Sequence, residues 1–375
     1  MAGLIPHQIS INGGVYIRDR QAHATECISF GRYLGEPACL GEVGYSLYPA
    51  ISASGRLVAF NNAYDGLVSG DTNGVDDVFV RDRQTRTTSR VSVGSGGAQA
   101  NKRSLEPKIS ADGRFVAFIS WASSLVPGDR NRALDVFVRD RLRGKTERVS
   151  ITSSGAEANG VSLWHSMSAD GRFVAFASAA TNLVQGDTNG VADVFIRDRQ
   201  KGTTTRVSVG PSGLEANGSS YMTSISANGR FIAYRSGASN LVPSDTNLAG
   251  DVFIRDRKAG KTARVSVGSG NVEGNGKSDW NAISADGRFV AFTSLPSNLV
   301  QGDTNEAADV FLRDRKMNST RRVSVATSGV QGDYGGYQVS ISADGRAVAF
   351  SSSSTNLVPA DTNGSMDVFV RIPAH

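Results

Sequence analysis

The stretch Gly70–Arg83, GDTNGVDDVFVRDR, carries a phrase, Asp-x-Asn-x-x-x-Asp-Val-Phe, that recurs every 58 residues, with its first aspartate at Asp71, Asp129, Asp187, Asp245, Asp303 and Asp361. A second phrase, ISADGRFVAF in its commonest form, keeps the same step from Ile51, Ile109, Met167, Ile225, Ile283 and Ile341. No repeat has gained or lost a residue. Such self-similarity means one supersecondary unit packed against copies of itself, so counting domains by length does not apply. A single domain over residues 1–375 is expected, with a divergent closing segment at 1–50 followed by six repeats beginning near residues 51, 109, 167, 225, 283 and 341.

Each repeat reads as four short antiparallel strands. Ser104–Ser110 leads through the turn Ala-Asp-Gly-Arg into RFVAFIS, and DVFVRDR (Asp135–Arg141) runs through a polar turn at Gly144 into Thr146–Ile151. Both pairs alternate apolar with small or polar residues between turn signals. No window sustains apolar spacing at three and four residues, so helices should be few and short. Hydrophobic residues at 39% and 42 glycines suit a turn-rich globular chain. Four strands per unit with radial repetition is the propeller pattern, which leaves only short, protected sheet edges.

The phrases P-x-I-S-A-D-G-R-F-V-A-F-x-S and D-V-F-V-R-D resemble the TolB-like branch of WD40-like β-propeller repeats, over roughly residues 15–371. The resemblance implies an all-β propeller of four-stranded blades and, with the sparse cysteines, a bacterial exported protein. It is poor for activity, because such propellers serve many functions. These repeats are longer than is usual for the family, mainly in the loops typified by NLVPGDTNG and GSGGAQANKRSLE, and no sign of TolB's amino-terminal domain is seen.

The sixth repeat stops after Asp367–Arg371, one strand short. Gly14–Gly31 looks like a third and fourth strand, and ATECISF within it should complete the sixth blade and close the ring. That leaves VYIRDR over, with HQISI as a candidate second surplus strand, and an incomplete seventh blade is the alternative. Cys27 and Cys39 either pair or stay as small apolar residues.

The net charge of +5 does not mark a nucleic-acid binder, because the arginines recur in the same places of each repeat, distributed instead of forming a basic stripe. No segment is long and apolar enough to span a bilayer. MAGLIPHQ has no signal-peptide pattern. A monomer is expected.

Two sets of candidate site residues follow. The repeated loops place hard oxygen ligands at Asp71, Asn73, Asp77; Asp129, Asn131, Asp135; Asp187, Asn189, Asp193; Asp245, Asn247, Asp251; Asp303, Asn305, Asp309; and Asp361, Asn363, Asp367. This spacing suits a structural Ca²⁺, although Asx turns would use the same residues. The second set varies where everything else repeats. Tyr48, Glu106, Trp164, Met222, Trp280 and Gln338 precede each ISADG phrase, and His165 adjoins Trp164. They are expected around one mouth of the axial channel, as a ligand site or as a plug.

No nucleophile–base or metal-ligand spacing involves the histidines, His7, His23, His165 and His375. A non-enzymatic scaffold that binds a protein or glycan at the loop-rich face is therefore favoured. The alternatives are a carbohydrate lyase or hydrolase drawing on His165, Glu106 and Asp279, and a multivalent calcium-dependent lectin.

Overall fold

The computed structural model describes residues 13–33, 36–39 and 46–372. The HQISI stretch lies outside them. The fold is an all-β propeller built on the repeat. The divergent segment gives β1 (Tyr16–Asp19), β2 (Ala24–Cys27), β3 (Phe30–Tyr33) and β4 (Glu36–Cys39). The first repeat gives β5 (Leu47–Ile51), β6 (Leu57–Asn62), β7 (Asp77–Asp82) and β8 (Thr87–Arg90), hydrogen-bonded in that order.

The next four repeats build the same four-stranded sheet. Their strands are β9 (Ser104–Ile109), β10 (Phe115–Ser120), β11 (Asp135–Asp140) and β12 (Lys145–Arg148); β13 (Ser162–Met167), β14 (Phe173–Ser178), β15 (Asp193–Asp198) and β16 (Thr203–Arg206); β17 (Ser220–Ile225), β18 (Phe231–Ser236), β19 (Asp251–Asp256) and β20 (Lys261–Arg264); and β21 (Ser278–Ile283), β22 (Phe289–Ser294), β23 (Asp309–Asp314) and β24 (Ser319–Arg322). The sixth repeat gives β25 (Gly336–Ile341), β26 (Val348–Ser352) and β27 (Asp367–Arg371). Helix is confined to single 3₁₀ turns such as Asp65–Leu67 among the described residues.

Ala24–Cys27, expected as the fourth strand of the sixth sheet, pairs instead with Tyr16–Asp19, in register Tyr16↔Cys27 to Asp19↔Ala24. The reason is local. The Ile28 amide donates to the Val15 carbonyl at 2.8 Å and the Val15 amide to Ser29 Oγ at 3.0 Å, matching Val91 to Val78 and Val78 to Ser92 in the first blade. The segment is the outer half of a blade, and its two strands satisfy one another. Cys27 and Cys39 form a disulfide, with Cα atoms 6.0 Å apart.

The chain divides into two compact units: residues up to Asp187 together with Ile196–Thr205, and Thr188–Phe195 together with Arg206 onward. In the first unit, the second and third strands of successive sheets bury Ala59, Val78, Val80, Val116, Phe118 and Phe137 in one cluster. In the second, Ala233, Val252, Ile254, Val290, Phe292 and Phe311 do the same. Alternation points apolar residues to both faces of these strands, so within each unit neighbouring sheets share a core. The phenylalanines pair across strands within a sheet, Phe118 with Phe137 and Phe292 with Phe311, at centroid separations of 5.9 and 5.7 Å. Each buried ring contributes about 2–3 kcal/mol through apolar burial.

The ISADG turn explains its glycine. Gly171 has φ +69°, and a Cβ there would lie 2.4 Å from the Phe115 ring of the preceding sheet. Gly287 stands the same way against Phe231, at φ +76° and 2.2 Å. Only glycine offers both the conformation and the close approach.

Candidate binding residues on the first strands

The repeated acidic loops hold an arginine. Arg90 Nη1 lies 2.6 Å from Asp71 Oδ1, 3.2 Å from Asp77 Oδ2 and 2.7 Å from Gln99 Oε1. Arg148 repeats this, 3.2 Å from Asp129, 3.1 Å from Asp135 and 3.0 Å from Glu157. Arg206 pairs with Asp193 and Glu215, Arg264 with Asp245, Asp251 and Glu273, and Arg322 with Asp303 and Asp309.

The asparagines make Asx turns. Asn131 Oδ1 accepts from the Ala133 amide at 2.9 Å, while its Nδ2 donates to Asp135 and to the Ala158 carbonyl of the next loop. Asn73, Asn189 and Asn247 do likewise, and Asn363 caps Ser365 and meets Asp367. Asn305 bridges Ala307 and the Gly332 carbonyl. The last aspartate accepts a serine hydroxyl from the outer strand, as Ser150 Oγ to Asp135 at 2.5 Å. Asp187 and Asp361 open the third and sixth loops.

Burial raises the carboxyls of Asp77, Asp129 and Asp135, and raises those of Asp71, Asp251 and Asp309 to about 6. Glu273 is held at about 2: partial burial opposes this, and hydrogen bonds from Thr246 and Arg264 outweigh it. Asp245, Asp251 and Glu273 bring three carboxylates close enough to hold a metal ion, and the Arg264 guanidinium already stands among them.

At the RDR corner, the turn arginine grips the aspartate of its own sheet. Arg114 is bidentate on Asp140 at 3.0 and 2.7 Å, and Arg172 on Asp198 at 2.9 and 2.7 Å. The closing arginine donates to the turn glycine, as Arg141 to the Gly113 carbonyl at 2.8 Å. Arg199 also stacks on Phe115, 4.5 Å from its centroid. These charges join strands and sheets.

The variable residues fall at one special backbone position. Tyr48, Glu106, Trp164, Met222 and Gln338 have φ of 52°, 55°, 52°, 57° and 44°, the left-handed region that non-glycine residues avoid. Each sits in a β-bulge, where pairing of the first strand with the second skips two residues: Leu105 faces Ile119, and Lys108 faces Ala117. The same skip brackets Tyr48, Trp164, Met222 and Gln338, and in the fifth repeat it falls one residue earlier, over Asp279 and Trp280. Bulges re-aim side chains, and a left-handed non-glycine residue costs on the order of 1–3 kcal/mol. Their repetition at the one position where the sequence varies is what sequence pattern could not show.

Within the first unit, Tyr48 is 41% exposed. Partial burial and the Glu106 charge raise its phenol, and burial raises Glu106, opposed by Lys108. His165 is 2% exposed, and neither ring nitrogen has a hydrogen-bond partner. Burial and the nearby Lys108 charge push its imidazole down to about 3, with a backbone interaction at Ala117 opposing them, so it is neutral at pH 7. Within the second unit, Asn281 beside Trp280 donates to the Met222 carbonyl at 2.7 Å and accepts from Ser224 Oγ at 2.6 Å, and Gln338 is exposed. Asp279 is neutralised by Arg235 at 2.8 Å and Lys277 at 2.6 Å.

No family model matches the sequence, and no curated protein sequence matches it. Among solved structures, the chain is similar to the β-propeller domain of the Trilobed protease from Pyrococcus furiosus, at 11% identity and TM-score 0.56 over 96% of this chain and 86% of that one. It is similar to the acylaminoacyl peptidase of Pyrococcus horikoshii, at 12% identity and TM-score 0.51 over 89% and 46%. TolB from Acinetobacter baumannii is similar at 15% identity and TM-score 0.43 over 82% and 58%. The likeness to the β-propeller domain of the Trilobed protease agrees with the propeller fold. The chain spans about half of the peptidase and 58% of TolB, so no activity carries across.

Proposed function

We propose that this chain is a non-enzymatic binding scaffold that takes a protein or glycan ligand through its bulge residues: Tyr48, Glu106 and Trp164 with His165 in the first unit, and Met222, Trp280 and Gln338 in the second. The carrying observation is the left-handed backbone repeated at the bulges, where residue type differs from blade to blade. Strain kept at a variable position in otherwise uniform sheets fits a surface selected for contact. Aromatic rings with a few polar groups are what such a surface needs. Titration calorimetry with a glycan or peptide found on arrays tests this reading. One ligand per chain is expected, and about six would support the multivalent lectin instead.

The repeated loops are assigned a structural role in which arginine supplies the positive charge. Calcium is the second reading, favoured by the Asp245–Asp251–Glu273 cluster, and it would have to displace Arg264. The Cys27–Cys39 disulfide suits export to an oxidising compartment, and a monomer is proposed.

A further inference from the structure

Five of the six repeats close their sheet with a fourth strand that carries Thr-x-Arg-Val-Ser, from Thr88, Thr146, Thr204, Thr262 and Thr320. In the fifth repeat the Val323 amide donates to the Val310 carbonyl at 2.6 Å. Ser324 Oγ accepts from the Val310 amide at 3.0 Å and donates to Asp309 at 2.5 Å, and Arg322 lies 3.4 Å from Asp309. The sixth sheet stops at β27 among the described residues. Val368 and Asp367 occupy the positions of Val310 and Asp309. Among the described residues they have no outer-strand partner, and no arginine pairs with Asp361 or Asp367.

The edge has the features of a strand acceptor. Asp309, Val310 and Phe311 are fully buried, whereas Asp367, Val368, Phe369 and Val370 are only partly so. β27 keeps unbroken register with β26 and contains no lysine or proline, the usual guards of an exposed edge. The turn that elsewhere leads into the fourth strand has lost its cap. Asp314 accepts the Lys316 and Met317 amides there, and Ile372 stands in its place in the sixth repeat. The similar segment Thr25-Glu26-Cys27-Ile28-Ser29 has Cys27 where the arginine belongs, and its strand pairs with β1.

We propose that the outer edge of β27 binds an extended basic segment of a partner protein, of Thr-x-Arg-Val-Ser character, which adds as an antiparallel fourth strand. Its main chain bonds to Val368, its arginine enters between Asp361 and Asp367, and its serine takes the role that Ser324 has against Asp309. The charge selects a cationic strand over a second copy's β27, which would set acidic edges together. The site goes beyond the binding role proposed above and uses none of its bulge residues.

The test is fluorescence anisotropy of a labelled peptide KTARVSVG, a copy of Lys261–Gly268, titrated with the intact chain. One peptide per chain is expected, with a Kd below about 1 mM. Replacing the peptide's arginine by glutamine, which leaves the protein untouched, should weaken binding roughly tenfold or more, as should Asp367→Asn in the chain. Hydrogen exchange should place the added protection on Asp367–Arg371, and the Trp164→Ala, Trp280→Ala double variant should bind the peptide as the wild type does. No saturation by about 1 mM overturns the proposal, whether a second copy or other residues of the chain cover the edge. Equal affinity for the glutamine peptide, equal affinity in Asp367→Asn, or protection elsewhere overturns it as well.

Discussion

Arg90 Nη1 stands 2.6 Å from Asp71 Oδ1, inside a loop whose residue spacing invites a divalent cation. The guanidinium sits where an ion would sit, and its fork meets both loop aspartates and Gln99. In four of the other blades an arginine from the same outer-strand position does the equivalent work. In these five blades the loops therefore stitch the outermost strand to the second and third strands.

This arrangement predicts the response to chelation. EDTA should leave the thermal midpoint within about 1 °C, and added Ca²⁺ should not raise it, since only a ligand bound to the native state stabilises it. Arg148→Met should cost about 3–5 kcal/mol in urea unfolding, because Asp129 and Asp135 would stay buried without their partner. A large EDTA-induced drop would return the loops to calcium.

Glycines in the repeat should differ sharply in tolerance. Gly171→Ala combines a left-handed φ with a contact 2.4 Å from Phe115 and should cost about 2–4 kcal/mol by strain and overpacking. Gly186→Ala has a similar φ of +75° and nothing within 4 Å, so about 1 kcal/mol is expected. Equilibrium denaturation of the two variants measures the difference.

Stability should peak in mildly acidic solution. The raised carboxyls of Asp251 and Asp309, near 6 when folded, give a contribution that is full below their unfolded value and lost as pH rises through about 6. Glu273 and Asp256, held at about 2, give one that is present above their unfolded values and lost as pH falls toward 2. Thermal midpoints measured from pH 2 to 8 should thus be highest near pH 4, and Asp251→Asn should flatten the decline between about pH 4 and pH 6.

His165 offers a separation of packing from chemistry. Its ring nitrogens are buried and unpartnered, so His165→Leu should leave stability unchanged or raise it by about 1 kcal/mol. Urea unfolding checks this, and a loss of more than about 2 kcal/mol would mean the imidazole has a partner in solution.

The fold was legible because its signals are local. Alternating strands, ADG turns and an unbroken 58-residue step repeat in plain view, and the turn glycines carry their reason in φ. Strand counting points Ala24–Cys27 to the sixth sheet, whereas the Ile28–Val15 and Val15–Ser29 bonds pair it locally. The loop arginines were visible as the Arg of each T-x-R-V-S phrase, 19 residues after Asp71 in the first blade, but no residue spacing says that a strand and a loop meet. The bulges left no trace, since Tyr, Glu, Trp, Met and Gln do not announce a left-handed backbone.

The measurement that bears most directly on the binding role is calorimetric titration of an array-identified glycan or peptide into wild type and into the Trp164→Ala, Trp280→Ala double variant, with thermal midpoints taken on both. The account predicts at least a hundredfold loss of affinity with midpoints within a few degrees. Unchanged affinity, or a variant that no longer folds, would make the tryptophans packing residues and contradict it.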